Sequence, residues 1–166
     1  MAEYLKKATR KAAHGADSQL TQRVSELLRN VEEQGEKAVR RMSSEFDKWS
    51  PERFRLSDSE VDRVVSSVDK STVADIEFAQ SQIRRFAQAQ LASLRPVEIE
   101  TLPGVTLGHK LIPVGSVGAY VPGGRYPMVA SAHMSVLTAK VAGVRRVAAC
   151  TPPINGVLPA ETITAM

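Results

Sequence analysis

Apolar residues between Asp17 and Gln34 recur at steps of four, three, one and three along the chain. Because an α-helix completes a turn every ~3.6 residues, this spacing predicts an amphipathic helix with one apolar face. The face consists of Leu20, Val24, Leu27, Leu28 and Val31. Gly35 follows directly, and a glycine at this position ends the predicted helix.

A second helix is predicted from Glu36 to Lys48, where the helical spacing resumes. The residues expected on its inner face are Ala38, Val39, Met42 and Phe46. It ends at Trp49-Ser50-Pro51, because a proline disfavours the helical conformation of the residue before it. A third helix follows, with Ser57 and Asp58 as capping residues. Its inner residues are expected to be Val61, Val64, Val65 and Val68.

A fourth and longer helix is predicted to begin at a cap formed by Ser71 or Thr72 and to stop before Arg95-Pro96. Its apolar positions are Val73, Ile76, Phe78, Ala79, Ile83, Phe86, Ala87 and Leu91. The helical segments carry no glycine loop and no paired histidine and acidic residues at ligand spacing. We therefore expect residues 1–95 to serve packing or oligomer contacts.

The pattern changes at Pro96, after which β-branched residues and turn signals dominate. A hairpin is predicted around Leu102 to Gly104, followed by a core strand from Ser116 to Val121. A Pro-Gly-Gly turn, a long apolar segment, Gly143 and a second apolar run come next. That order predicts a βαβ unit from Ile112 to Cys150. The fold class is therefore α/β, with a helical region at 1–95 and a sheet-containing region at 96–166.

The last segment contains a loop, a turn and the start of a helix. Thr151-Pro152-Pro153 would lie at the carboxyl end of a strand, where open parallel sheets place their ligands. Asn155-Gly156 is a turn signal, and Leu158 to Met166 is predicted to open a helix that carries no stop signal. We therefore expect an incomplete domain, belonging to the N-terminal part of a longer protein.

Composition narrows the class of protein. No apolar run approaches the ~20 residues that cross a bilayer, and no secretory signal is present, which favours a cytoplasmic protein without a membrane role. The formal charge is +4, with basic residues dispersed among acidic ones, so a nucleic-acid partner is not expected. The single cysteine, Cys150, fits a reducing compartment, and its apolar surroundings predict a buried structural thiol.

The glycine-rich turn after the core strand is the candidate binding site. It matches neither GxGxxG nor the P-loop pattern, but a strand, a glycine turn and a helix can bring backbone amides close to a phosphate. Tyr120, just before the turn, is suited either to stacking on a nucleotide ring or to simple packing. Arg125 and Tyr126 follow Gly123 and Gly124; they either face an anionic group or lie free in solvent. A tight turn without a ligand remains the alternative.

The three histidines are far apart in sequence, and no HExxH or CxxC motif accompanies them. His133 lies within the apolar helix, where a partly buried histidine with satisfied hydrogen bonds is the usual case. His109 is expected at a strand edge or turn, and His14 on the N-terminal arm. A metal site built wholly from this chain is not expected.

Three blocks of the chain resemble the histidinol dehydrogenase family, at the family's own spacing. They are SVGAYVPGG at 116–124, AKVAGV at 139–144 and VAACTPP at 147–153. Upstream, EQGEKAVRRMSSEFDKW at 33–49 and LPGVTLGHKLIPVGSVG at 102–118 are also similar. The resemblance covers nearly the whole chain. It covers only the N-terminal part of the family's length.

The resemblance implies an NAD-dependent, zinc-containing homodimeric enzyme that oxidises a primary alcohol through an aldehyde to a carboxylate. It also implies that 96–166 is the first part of an incomplete Rossmann-like, aldehyde-dehydrogenase-like domain. Tyr120 matches the family's NAD-contacting tyrosine, and Gly123 and Gly124 match the loop that shapes that region. The family's zinc ligands and Glu-His catalytic pair are expected beyond Met166, so no catalytic residue or metal ligand is assigned here. The chain alone is expected to be inactive.

The helix after the turn departs from the family's biosynthetic pattern. Arg125-Tyr126 replaces a pair of small residues, His133 stands where leucine is usual, and Ser135 where asparagine is usual. This version is more similar to the sulfopropanediol dehydrogenase branch, and Arg125 would suit a sulfonate because a guanidinium pairs well with oxyanions. Sulfopropanediol is therefore the favoured substrate, and L-histidinol, oxidised to L-histidine, is the alternative. A non-catalytic oligomerisation or binding fragment is the alternative of another class.

Overall fold

The computed structural model describes residues 14–123 and 126–166, with side chains from residue 18 onward. The chain divides into two compact units, residues 1–50 and 51–166. The domain boundary that the sequence suggests between residues 95 and 96 stays a prediction.

The first unit contains two helices joined at Gly35. Helix α1 spans His14–Gln34, and helix α2 spans Glu36–Met42. Gly35 separates them with a φ of +56°, in the left-handed region that favours glycine, so the predicted helix end is confirmed. After α2 the chain continues as a π-helical turn, Ser43–Asp47.

The π-helical turn alters which residues of the second helical segment face inward. Ala38 is fully buried as expected, whereas Phe46 is 49% exposed, so its predicted inward orientation is wrong. A π-helical turn adds a residue to the helical repeat, and this rotates later residues away from the α-helical face. Ser43 is the buried residue here, and its hydroxyl donates a hydrogen bond to the carbonyl oxygen of Trp49 over 2.8 Å.

The helices of the second unit begin at well-defined caps. Helix α3 spans Asp58–Ser67 and starts with a capping box in which Ser57 and Glu60 bond reciprocally. Helix α4 spans Lys70–Ser93, and its cap is Asp69 rather than the predicted Ser71 or Thr72. The Asp69 carboxylate accepts a hydrogen bond from the Ser71 backbone N–H over 2.8 Å, which satisfies an orphan donor of the first turn.

Two separate two-stranded sheets follow. Strands β1, Val97–Leu102, and β2, Val105–His109, form the predicted antiparallel hairpin, with Gly104 at φ +80° in its turn. Strands β3, Ser116–Tyr120, and β4, Arg146–Cys150, pair in parallel.

A helical segment connects the two parallel strands and completes the βαβ unit. It consists of α5, Val129–Ala132, a π-helical turn, His133–Leu137, and α6, Thr138–Val141. Gly143 closes the segment at φ +88°. Helix α7, Ala160–Ala165, follows the Asn155-Gly156 turn, which also forms as predicted. The predicted α/β class is confirmed.

The core of the second unit lies where α4, α5 and α7 meet the end of β3. Its buried residues are Ile76, Val121, Ala132 and Ala165. Val129 and Met166 pack against this cluster and remain partly exposed. The π-helical turn His133–Leu137 contacts β3, and within that strand Ala119 is buried while Gly118 and Tyr120 on either side of it are exposed.

Candidate functional site

The carboxyl ends of β3 and β4 form the edge on which the candidate site lies. The strands run parallel in register from the pair Ser116 and Arg146 to the pair Tyr120 and Cys150. One further hydrogen bond, from the Val121 N–H to the Cys150 carbonyl oxygen over 2.8 Å, extends the pairing by a residue. The loops that follow both strands therefore leave the sheet side by side, at the edge where parallel sheets bind ligands.

Tyr120 and Cys150 lie opposite each other at this edge. Tyr120 is 64% exposed, so its ring is open to a ligand rather than packed in the core. Cys150 is exposed as well, and the prediction of a buried thiol is wrong. Strand alternation explains Tyr120, because Ala119 and Val121 on either side of it point into the core. On β4 both Ala149 and Cys150 are exposed, so this end of the strand is uncovered on either face.

Gly123 lies in close contact with the loop that follows β4. A Cβ atom at this position would lie 2.7 Å from Cγ of Pro152 and 3.4 Å from its carbonyl oxygen. The glycine therefore permits two loops of the protein to touch, a role different from the ligand approach considered in the sequence. Gly124 and Arg125 lie outside the described residues.

His133 is buried in the π-helical turn between α5 and α6. It is 3% exposed, and its Nδ1 has no hydrogen-bond partner among the described residues. The prediction of a partly buried histidine with satisfied hydrogen bonds is therefore wrong. Burial lowers the pKa of His133, because a charged imidazole is poorly solvated in this position.

A cleft of about 400 Å³ opens beside His133, between α4, the segment that leads into α5, and α7. Its polar lining residues are Thr72, Asp75, His133 and Glu161. Its apolar lining residues are Ile76, Ala79, Pro127 and Val129. Asp75 and Glu161 are far apart in sequence, and no motif links them, so no sequence signal indicates that they line the same cleft.

Within residues 14–123 and 126–166, no three histidine, cysteine, aspartate or glutamate side chains are grouped so as to hold a metal ion. In the same part of the chain, none of the helices combines the length and the apolar character that spanning a bilayer requires.

The model of the histidinol dehydrogenase family matches residues 10–166 of the sequence. The chain belongs to the histidinol dehydrogenase family. The match includes both parallel strands, the helical segment between them and all the helices of the structure.

Relatives of this histidinol dehydrogenase family member carry several names. A histidinol dehydrogenase homolog of Shouchella clausii is 57% identical over 170 residues, covering 100% of this chain and 39% of the relative. A sulfopropanediol 3-dehydrogenase of Ruegeria pomeroyi is 43% identical over 155 residues, covering 93% of this chain and 35% of the relative. A histidinol dehydrogenase of Methanosarcina mazei is 38% identical over 130 residues, covering 78% of this chain and 30% of the relative.

A solved structure supports the same fold. The crystal structure of histidinol dehydrogenase from Elizabethkingia anophelis matches with a TM-score of 0.77 and 26% sequence identity. The match covers 98% of this chain and 35% of that one. This histidinol dehydrogenase family chain thus spans between 30% and 39% of the length of the relatives described.

Proposed function

We propose that this chain forms the cofactor-side wall of an NAD-dependent dehydrogenase that oxidises a primary alcohol to a carboxylate. Family membership supports an oxidoreductase, and the observation that carries the proposal is the exposed Tyr120 at the carboxyl edge of β3. An aromatic ring with one open face at this edge is suited to stacking on a nucleotide base.

The residues at the edge are compatible with NAD. Tyr120 offers an open ring, and the loops after β3 and β4 meet beside it through Gly123 and Pro152. Bound NAD would supply the hydride acceptor, and because oxidation of a primary alcohol through an aldehyde to a carboxylate removes two hydrides and adds water, two NAD would be reduced per alcohol. In this proposal the chain's own part is to hold the cofactor ring and to shape the loop beside it, while the groups that move protons lie elsewhere in the complete enzyme.

Zinc is part of the proposal for the complete enzyme and not for the described residues of this chain. These residues lack a group of three potential ligands, and Tyr120 and Gly123 are unsuited to binding the metal. We propose that the zinc ligands of the complete enzyme lie in the part of the relatives' length that this chain does not span.

The substrate we favour is a small sulfonated diol, sulfopropanediol. A relative named sulfopropanediol 3-dehydrogenase is 43% identical, against 38% for a histidinol dehydrogenase of Methanosarcina mazei. The difference is small, so L-histidinol is the second candidate on the same kind of support. Arg125 supplies the chemical argument for the sulfonate, because a guanidinium donates paired hydrogen bonds to oxyanions.

Turnover by the complete protein tests the substrate. NAD reduction is followed by the absorbance of the NADH that forms, with sulfopropanediol and with L-histidinol in parallel. We expect a higher kcat/KM for the sulfonated diol, and Arg125→Ala should raise the KM for that substrate. An unchanged KM in Arg125→Ala, or a clear preference for L-histidinol, would reject the sulfonate assignment.

Two substitutions of Tyr120 test its contact with NAD separately from the choice of substrate. Tyr120→Ala should raise the KM for NAD about two- to twelvefold, which corresponds to a stacking contribution of ~0.5–1.5 kcal/mol, with little change in kcat. Tyr120→Phe keeps the ring and should retain the KM of the unaltered enzyme. Equal effects of both substitutions would argue against stacking.

We further propose that the complete enzyme is a cytoplasmic homodimer acting on a small-molecule alcohol. The competing proposal is a non-catalytic oligomerisation or binding fragment. The 166-residue chain tests this directly: we expect no NAD reduction by the chain alone and turnover by a protein of the relatives' full length. A full-length protein without NAD reduction on either alcohol would favour the non-catalytic proposal.

A further inference from the structure

The Asn155-Gly156 turn lies in the loop that leaves the carboxyl end of β4. Both residues have positive φ angles, +51° and +76°, and the Val157 N–H donates a hydrogen bond to the Ile154 carbonyl oxygen over 3.0 Å. These are the features of a type I′ turn, which favours asparagine followed by glycine. The turn thus places a side-chain amide beside a backbone N–H that no β-carbon shields.

The two groups of this pair have no competing contacts. Asn155 and Gly156 are both exposed, and neither the Asn155 side-chain amide nor the Gly156 N–H forms a hydrogen bond with a residue that the structure describes. A Cβ atom built on Gly156 would meet nothing within 4 Å, so no neighbouring group hinders an approach to its nitrogen. The Gly156 nitrogen and the Asn155 amide carbon can therefore meet without breaking a bond to the rest of the protein.

The turn is held closed by a short set of contacts. Ile154 and Val157 exchange backbone hydrogen bonds of 2.9 and 3.0 Å, which form an isolated bridge and not part of a longer ladder. Exposed backbone hydrogen bonds in such short segments open at a low free energy, while the rest of the fold stays intact. Local opening gives the Asn155 backbone the rotation that ring closure requires.

We propose that Asn155 is a site of spontaneous deamidation. The Gly156 nitrogen, after losing its proton to a base in the solvent, attacks Cγ of Asn155. The new N–Cγ bond closes a cyclic imide, the Cγ–Nδ2 bond breaks, and the amide nitrogen leaves as ammonia with a proton from water. Water then opens the imide, at Cγ to give aspartate or at the backbone carbonyl to give isoaspartate. Overall, one water is consumed and one ammonia is released, without a redox step.

The product would change the loop at the carboxyl edge of the parallel sheet. A carboxylate replaces a neutral amide, and isoaspartate also adds a methylene group to the backbone inside the turn. That extra carbon removes the spacing on which the bonds between Ile154 and Val157 depend. The same loop contains Pro152, which meets Gly123. The proposal uses no contact with NAD, so it does not depend on the proposed function.

Asn30, the other asparagine of the sequence, serves as an internal control. It lies within α1, and its Nδ2 donates a hydrogen bond to the Glu26 carbonyl oxygen over 2.9 Å. The residue that follows it is the β-branched Val31, whose side chain crowds the next backbone N–H. Because the helix fixes its backbone, we expect Asn30 to keep its amide while Asn155 loses it.

The experiment incubates the native 166-residue chain in mildly alkaline buffer and follows two tryptic peptides, 147–166 and 30–37, by chromatography and mass spectrometry. Peptide 147–166 should gain about one mass unit and separate into an isoaspartate and an aspartate form, whereas peptide 30–37 should stay unaltered. A sample digested without incubation corrects for reaction during digestion. The urea-unfolded chain, incubated in parallel, gives the reactivity of the pair without the turn. A native chain that stays unaltered while the unfolded chain converts would overturn the proposal, because the turn would then protect Asn155.

Two substitutions locate the reaction. Asn155→Gly removes the reacting amide and keeps a sequence, Gly-Gly, that also forms type I′ turns, so the mass gain of the whole chain should disappear. Asn30→Gln is the matched control and should leave the rate of the mass gain unchanged. A mass gain in the Asn155→Gly chain at the rate of the unaltered chain would place the reaction at another amide and overturn the proposal.

Discussion

A Cβ atom added to Gly123 would lie 2.7 Å from Cγ of Pro152, closer than a real Cβ contact allows. The backbone of Gly123 is outside the left-handed region, so its conformation does not require glycine. Close approach of the loops after β3 and β4 explains the residue instead. We expect Gly123→Ala to lower the free energy of unfolding by about 1–3 kcal/mol, the usual cost of overpacking. Urea denaturation of the 166-residue chain measures it.

Two further variants separate this contact from a general effect of replacing glycine. Gly118 lies on β3 with nothing within 4 Å of its added Cβ, so Gly118→Ala should change stability by less than ~0.5 kcal/mol. Pro152→Ala combined with Gly123→Ala should recover part of the lost stability, because the ring that meets the new methyl group is gone. Additive effects of the two substitutions would contradict a direct contact.

Replacing His133 tests the cost of its unpaired Nδ1. We expect His133→Leu to raise the free energy of unfolding by about 1–3 kcal/mol, since a buried polar atom without a partner is exchanged for an apolar group. Urea denaturation at pH 7.5 (about one unit above the ordinary histidine pKa) compares the two chains. A less stable Leu variant would show that His133 has a partner in solution.

Replacing His133 should also change how the free energy of unfolding depends on pH. The folded-state pKa of His133 is lowered from 6.5, so the unfolded chain binds the proton first as the pH falls. Above the unfolded-state pKa, His133 is neutral in both states and does not lower the free energy of unfolding. As the pH falls below about 6.5, the unfolded chain takes up the proton and the free energy of unfolding decreases. His133→Leu should lack this part of the decrease below pH ~6.5. Parallel pH profiles of the two chains would contradict the assignment.

The capping box of α3 predicts a second pH effect, in a more acidic range. The Glu60 carboxylate accepts hydrogen bonds from the Ser57 hydroxyl over 2.6 Å and the Ser57 backbone N–H over 2.7 Å. These bonds lower the pKa of Glu60 below its ordinary value of 4.5. The ionised Glu60 carboxylate therefore stabilises the fold above pH ~4.5. This stabilisation is lost as the pH falls through the lower folded-state pKa of Glu60.

Glu60→Gln should remove that acid-range decrease while leaving stability near pH 7 slightly reduced. Denaturant midpoints between pH ~3 and ~6 check the difference, with Glu77→Gln as the control on a neighbouring helix. A Glu60→Gln chain that loses stability with acid as steeply as the unaltered chain would show that the capping box does not form.

Local signals were enough to predict most elements of the fold. Gly35, Ser57 and the Asn155-Gly156 pair each act within a few residues, through backbone conformation or a cap, and each is found where the sequence indicates. The βαβ unit is also predictable, because two short apolar runs on either side of a longer apolar helical segment leave a distinct pattern.

Other features depend on partners that the local sequence does not contain. The π-helical turn at Ser43–Asp47 exposes Phe46, and residue spacing alone assumes a regular α-helix. The contact of Gly123 with Pro152 requires the strand register. Average behaviour predicts a satisfied hydrogen bond for His133, whereas the burial of this residue depends on α4 and β3, which contact the π-helical turn that carries it.

The exposure of Cys150 gives a direct chemical test of how the parallel sheet is oriented. Cys150 faces the same side as Tyr120, away from the core that buries Ala119 and Val121. We therefore expect the native 166-residue chain to react with Ellman's reagent at a rate close to that of the urea-unfolded chain, because the thiol is already exposed in the native state. Cys150→Ser removes the sole thiol of the sequence and supplies the blank. A native chain that reacts far more slowly than the unfolded one would mean that the face of β4 that carries Cys150 is buried.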